Sequence, residues 1–482
     1  MKVLFVYPKT YYRRALPLGI AYIAAVLREN GHTVKVYDPA PYEKVSFRGF
    51  LRKFDPEVVG FSSTTLQMLN TLEMLRVVKD VNPNIYTILG GVHPTSDPGT
   101  TLANKNVDFV VFGEGEETTR ELIDFLEKGK DISSVKGIGY KKEGQKFTER
   151  RPYIEDIDSL PFPARDLFPM KWYSQATTTI RGSWLRTTNI MTSRGCPYNC
   201  IYCASKVMWN RNFRMNSAER VVDEMEFIIN KYKLEALILV DDTFYINKKR
   251  ILNICSEIKK RKLDFVWAAQ SRIDNDDEEI IKAISGAGCI QLAFGVESGS
   301  NKVLKGMNKL TSAEKAVPAF RLCQKYGLRT LANFMIGNPE ETMEDIEKSR
   351  RLAHALKADF VDFYITTPFP GTELLELAKK NGWIKEDFDK NLNSFKLDEE
   401  SPMEINFTSK QLVALRNKLR KEFISEKLSH YIKNPKFIKD ALLIALTNPS
   451  LAPKIISKYI KTRDLEASLR EFENVQRARR FP

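Results

Sequence analysis

A chain of 482 residues exceeds one ordinary hydrophobic core and predicts two to four domains. Its 43% hydrophobic and 28% charged residues exclude a disordered chain, and the absence of any 18-residue apolar run excludes a bundle of membrane-spanning helices. The net charge of +14 is concentrated in residues 406–482, which hold 17 Lys or Arg against 7 Asp or Glu; the excess bears on the tail's partners rather than on the fold.

The opening run Met1 to Val6 leads into Tyr7-Pro8 and is too short for a signal peptide, so a cytoplasmic protein is expected. Apolar runs at 2–7, 33–37, 58–62, 86–90 and 109–112 read as buried parallel strands. Segments 18–29, 47–54, 66–81 and 117–127 carry helical periodicity, with Gly31 and Pro83 as stops. This alternation predicts a doubly wound, Rossmann-like sheet over 1–135, with its ligand beyond the carboxyl ends of the strands. Those ends carry Ser62-Ser63-Thr64-Thr65, Gly90-Gly91-Val92-His93-Pro94 and Gly113-Glu114-Gly115-Glu116. Glycine admits a flat ligand to the backbone and hydroxyls hold amide or phosphate groups, so the bare loops suit a nucleotide-like ligand. Together with Pro17-Leu18-Gly19 and Ala21-Tyr22, the G-G-x-H-P and G-E-G-E patterns resemble the cobalamin-binding domain often placed before a radical S-adenosylmethionine (SAM) domain. The resemblance implies that Ser62, Ser63, Thr64, Gly90, Gly91, His93, Gly113, Glu114 and Gly115 contact cobalamin. Where such domains place Asp-x-His-x-x-Gly, this chain has Tyr7-Pro8-Lys9-Thr10-Tyr11-Tyr12, so no histidine is expected on cobalt. The bare loops also leave open a domain of this shape that has lost its cofactor.

Residues 136–185 change character. Lys141 to Gln145 separate two short strand-like runs, a hairpin signal, and Leu160-Pro161-Phe162-Pro163 opens a proline-rich linker read as a spacer. From 186 to 385 strand and helix alternate six times, as in a partial barrel, with strands at 187–192, 236–240, 265–269, 290–295, 330–336 and 360–366. Such barrels present their chemistry at the carboxyl ends of the strands.

The first of these ends opens into Cys196, Cys200 and Cys203, spaced C-x3-C-x2-C. Three thiolates satisfy three irons of a [4Fe–4S] cube that takes four, leaving one iron for a small-molecule ligand. Zinc is the competing reading, but a structural zinc site wants four ligands and no fourth Cys or His lies nearby. Cys255, Cys289 and Cys323, 34 residues apart, read as buried free cysteines, and the six together fit a reducing compartment. With Tyr202 before the last cysteine, the motif resembles the radical SAM superfamily, in which the open iron chelates SAM and the residue at the Tyr202 position lies against the adenine.

The remaining ends are polar or special. The resemblance carries Asp241 and Asp242 over as contacts to the SAM amino group, and places Ile336-Gly337 at the adenine edge. The Arg272 guanidinium suits the SAM carboxylate, and Glu297-Ser298 suits the ribose hydroxyls. The family more often has Leu where this chain has Asn338. Residues 386–482 read as a basic helical domain, in which 437–446 is half the length that spans a bilayer and is taken as a packing helix.

The resemblance implies a cobalamin-dependent radical SAM enzyme that methylates an unactivated carbon. Ring formation, rearrangement or oxidation without methyl transfer stands beside it, as does a non-catalytic protein that binds a cluster. Expected partners are a small-molecule or lipid-like substrate and an external one-electron donor such as a ferredoxin or flavodoxin. The tail reads as a plain packing domain first, with peripheral contact with anionic membrane as the alternative; nucleic acid is disfavoured because no aromatic stacking platform accompanies the basic residues.

Overall fold

The computed structural model describes residues 1–8, 15–38, 46–177, 179–274, 277–384 and 400–433, the helix Leu451–Thr462, and scattered positions between 388 and 446. Residues 9–12, most of 437–446 and all of 463–482 lie outside the described residues.

Five parallel strands build the first sheet: β1 (Lys2–Val6), β2 (Thr33–Tyr37), β3 (Val58–Ser62), β4 (Tyr86–Gly90) and β5 (Phe109–Val111), in the order β2-β1-β3-β4-β5. Successive side chains of a strand point to opposite faces, so Val3 and Phe5 enter one core while Leu4 and Val6 enter another. Helix Leu18–Glu29 covers the first face and helices Phe47–Phe54 and Met68–Val81 the second, which is why these strands read as continuous apolar runs. The hairpin β6 (Ile138–Lys141) and β7 (Gln145–Phe147) adds antiparallel to β5 and extends this sheet. The Gly-Gly-Val-His-Pro segment, expected as a loop, turns at once into a short helix, Val92–Ser96.

The second sheet holds six parallel strands in chain order, β9 (Leu185–Ile190), β12 (Ala236–Leu239), β13 (Val266–Arg272), β14 (Cys289–Glu297), β15 (Arg329–Ile336) and β16 (Phe360–Ile365). The short β8 (Ala176–Thr177) pairs antiparallel at the β9 edge. Between β9 and β12, β10 (Ser193–Arg194) and β11 (Arg214–Met215) clasp the base of the cysteine loop. Strands β13 and β14 outrun their sequence limits, so Ser271, Arg272 and Glu297 stand on strand backbone rather than in loops. Trp267, Leu292, Phe294, Phe334 and Phe363 form the outer core beneath the helices. The inner face is closed at one end by Ile180 against Ala236 and Ala268. The fold is therefore α/β, a Rossmann-like domain followed by a partial (β/α)6 barrel and C-terminal helices.

The proline-rich stretch does more than space the two sheets. Leu160, Ala164, Phe168, Met170, Trp172 and Tyr173 are buried in the core under helix Leu18–Glu29, and the buried Arg165 reaches Glu224 of helix Ala218–Tyr232 at 2.8 Å. Asn189 of β9 closes the joint from the other side: its Oδ1 accepts from Leu16 N at 2.8 Å and its Nδ2 donates to Leu16 O at 3.0 Å.

Candidate active site

The cysteine loop follows β10 and is held from three directions. Ile201 N donates to Met307 O at 3.1 Å, Leu374 N to Ile201 O at 2.9 Å, and Asn308 Nδ2 to Asn199 O at 2.8 Å. Gly195 has φ +85° and a Cβ there would fall 2.1 Å from Asn212 O, so only glycine makes this turn. Cys196, Cys200 and Cys203 are free and half-buried, and burial pushes the Cys203 thiol up to about 11 and raises Cys196 as well. A single tetrahedral ion with bonds of about 2.3 Å would draw sulfurs to about 3.8 Å of one another. Among the described residues only His32, Asp124 and Glu127 bring three ligand atoms within 4.8 Å of one another, so the three sulfurs are not gathered as tightly as a single ion would draw them. Cys255, Cys289 and Cys323 are free and buried in the outer core, where burial raises all three thiols.

Around this loop the strand ends supply polar groups. Tyr202 Oη donates to Glu297 Oε1 at 3.1 Å, and the buried Lys309 ammonium reaches the same oxygen at 2.7 Å. Gly295 leaves room for that carboxylate, because a Cβ there would lie 2.4 Å from Glu297 Oε1. Asp242, exposed at the end of β12, accepts from Ser205 Oγ at 2.7 Å and keeps acceptor capacity for an incoming cation. Asp241 is turned inward instead: it accepts from Thr192 N, Thr192 Oγ1 and Ser193 N and orders the entry to the cysteine loop. Arg272 lies 3.7 Å from the Tyr198 ring centroid and donates to Asp274 and to the Lys309 and Leu310 carbonyls. Ser298 accepts from Ser300 N and pairs with Ser349, an internal role. At the end of β15, Gly337 takes φ +81° and its N–H donates to the buried Glu341 at 2.6 Å.

A cavity of about 370 Å³ lies between the two sheets, in the size range of cofactor sites. Its floor comes from the first sheet: Gly60, Ser62, Ser63, Thr64, Gly90, Gly91, Gly113 and Gly115. A Cβ on Gly91, where φ is +103°, would fall 2.8 Å from Ser63 N, and one on Gly115 would fall 2.7 Å from Ile23. The roof comes from the barrel, with Met191 and Val240 at strand ends and Arg194, Met208 and Trp209 from the cysteine loop region. Backbone free of side chains on the floor leaves room for a flat ligand to approach closely. His93 is absent from the wall; it is buried with Nδ1 3.1 Å from Thr65 Oγ1, and burial lowers its pKa.

One wall is a box of buried charges. Arg194 pairs with Glu114 at 2.6 Å and Glu116 at 2.7 Å, and Arg214 pairs with Glu114 at 2.8 Å. Burial opposes the Arg194 charge, but the two carboxylates outweigh it and raise its pKa. Glu114 is thus engaged by arginines from the β10–β11 clasp as well as lining the cavity. Sequence reasoning passed over Lys309, Arg194, Met191 and Trp209. Only Arg194 carried a signal, its place two residues before Cys196.

Family comparison agrees with this geometry. The B12 binding domain matches residues 9–123 and the Radical SAM superfamily matches residues 190–353. An uncharacterized methyltransferase of Pyrococcus horikoshii is 36% identical over 454 residues, which cover 91% of this chain and 94% of that protein. The anaerobic magnesium-protoporphyrin IX monomethyl ester cyclase of Rubrivivax gelatinosus is 28% identical over 393 residues, covering 78% of this chain and 70% of that one. A solved structure of the cobalamin-dependent S-adenosylmethionine radical enzyme OxsB, with aqua-cobalamin and S-adenosylmethionine bound, matches with a TM-score of 0.72 at 18% identity. It covers 99% of this chain and 79% of that one, a likeness of fold.

Proposed function

Because the chain belongs to the radical SAM enzymes that carry an N-terminal B12-binding domain, we propose that it methylates an unactivated carbon of a small-molecule substrate. The observation that supports this reading is the cavity between the two sheets, whose glycine-rich floor and barrel-side roof offer room for a cobalamin next to the barrel. When bound, the [4Fe–4S] cluster with SAM supplies a hydrogen-abstracting radical, and cobalamin supplies a transferable methyl group.

The chain's own residues position and enclose these groups. Cys196, Cys200 and Cys203 hold three irons. Asp242 would accept the SAM ammonium, Glu297 the ribose hydroxyls, and the Ile336-Gly337 backbone and Tyr202 would hold the adenine. Asp241 and Arg272 act one step back, ordering the loop entry and Tyr198. Ser62, Ser63, Thr64, Gly90, Gly91, Gly113 and Gly115 cradle the corrin. Met191, Val240, Met208 and Trp209 line the barrel side of the cavity and would keep water from a bound cobalamin.

Radical SAM enzymes take their electrons from an external donor, and a ferredoxin or flavodoxin fits that need here. Among the described residues no helix is long and apolar enough to cross a membrane. The tail nevertheless exposes Ile432, Ile438, Leu442, Leu446, Ile456 and Ile460 among lysines, a surface suited to peripheral contact with anionic lipid. Sedimentation with anionic vesicles tests this: protein that stays in the supernatant at every ionic strength has no such contact.

Kinship to the cyclase favours one second reading, ring formation without methyl transfer. The reconstituted enzyme separates the two when turned over with methyl-labelled SAM. Label in the product supports methylation, product without label supports the cyclase-like reading, and a reduced enzyme that releases no 5′-deoxyadenosine refutes both.

A further inference from the structure

Lys309 sits where a lysine is costly. It is 6% exposed, and lysine is among the residues least often buried unless paired. The chain bends twice to put it there: its neighbours Asn308 and Leu310 both have φ +53°, and Leu310, a non-glycine residue in the left-handed region, is left 66% exposed. Glu297, which it meets, also has a left-handed backbone, φ +63°. Three such residues around one ion pair are backbone strain gathered at one point, the pattern found where a site over-determines its geometry.

The segment is also stitched to the cluster loop. Met307 O accepts from Ile201 N, Asn308 Nδ2 donates to Asn199 O, and Arg272 donates to Lys309 O at 2.6 Å. From this fixed base the Lys309 ammonium reaches Glu297 Oε1 at 2.7 Å and Tyr202 Oη at 3.3 Å, so both share a single cation. A carboxylate this buried keeps its charge only when paired. Hydrogen bonds to an ionised acceptor are roughly twice as strong as neutral ones. The cation therefore fixes where the Glu297 carboxylate stands and offsets the cost of burying it.

Resting on the assignment of Glu297 to the SAM ribose, we propose that Lys309 is a positioning residue that makes the site selective for ribose-bearing adenosyl ligands, by pairing with the Glu297 carboxylate and holding it aimed at the sugar. Lys309 itself need not touch the ligand.

The test is equilibrium dialysis of anaerobically reconstituted holoprotein with two probes, S-adenosylhomocysteine and its 2′,3′-dideoxyribose analogue, with iron content measured in parallel. Wild type is expected to prefer the ribose form by about 10- to 100-fold, the range for hydrogen bonds to a charged group. Lys309→Met should bring the ratio near one at wild-type iron content, and Lys309→Arg, which keeps the charge, should restore most of it. If Lys309→Met does not hold its iron, Lys309→Gln, which keeps a donor without the charge, is expected to lose the preference in the same way. A wild-type ratio retained in either neutral variant overturns the proposal. A wild-type ratio near one, or one unmoved by Glu297→Gln, overturns the ribose assignment itself and this inference with it.

Discussion

Arg194→Met opens the box of charges that joins the β10–β11 clasp to the first domain. In the wild type two arginines face two glutamates, all with side chains no more than 6% exposed, so the box is neutral and dry. Methionine fills the space beside Tyr22 and Trp209, whose rings lie 5.1 and 5.9 Å from the guanidinium carbon. It leaves Glu116 without the cation paired with it, while Glu114 keeps Arg214. Removing one partner of a buried pair costs about 3–5 kcal/mol, because the remaining charge is stranded in a medium that solvates it poorly. Arg194→Met should therefore lose about that much in urea unfolding of the apoprotein. It should also weaken cobalamin retention on a desalting column, because Glu114 and Glu116 lie beside the cavity floor. Adding Glu116→Gln restores neutrality, and the double variant should regain most of the loss. A single variant within about 1 kcal/mol of wild type, or a double variant no better than the single, would refute the view that charge pairing holds this joint.

A Cys196, Cys200 and Cys203 triple alanine variant should hold no cluster iron, while the Cys255, Cys289 and Cys323 triple alanine variant keeps about four irons per chain by iron assay; about eight in wild type would overturn the single-cluster reading. The cob(II)alamin form should lack nitrogen superhyperfine splitting in its paramagnetic resonance spectrum, because His93 faces Thr65 rather than the cavity; splitting that vanishes in His93→Ala would show the opposite. Burial holds the Glu341 carboxyl up at about 7 against an ordinary 4.5. The folded state thus keeps its proton after the unfolded chain has lost it, so the stabilisation is complete below about 4.5 and is lost as pH rises through 7. Relative to Glu341→Gln, the wild type should lose about 3 kcal/mol across that window in urea midpoints, and a difference independent of pH would contradict the burial argument.

Much of this protein is written locally. Alternating apolar runs placed the parallel strands of both sheets within a few residues, because a strand buried on both faces must be apolar along its length. The three cysteines announced their loop because ligands to one cluster on one turn have to be close in sequence. The glycines at 90, 91, 113 and 115 were legible because β4 and β5 end there, and the cavity floor confirms only that they meet in space. What the sequence left silent spans long intervals. Arg194 finds Glu114 across 80 residues, Asn189 finds Leu16 across 173, and the linker's Arg165 finds Glu224 across 59. Lys309 lies only 12 residues from Glu297, yet two left-handed bends aim it, and nothing in Met307-Asn308-Lys309-Leu310 foretells them. Asp241 and Asp242 are neighbours of one residue type, and only the packed structure sends one inward to the backbone of Thr192 and Ser193 and the other toward Ser205. Composition and spacing determine which elements form, because those depend on near neighbours. The partner of a buried charge is decided by how the elements pack, since it is desolvation on packing that makes an unpaired charge intolerable.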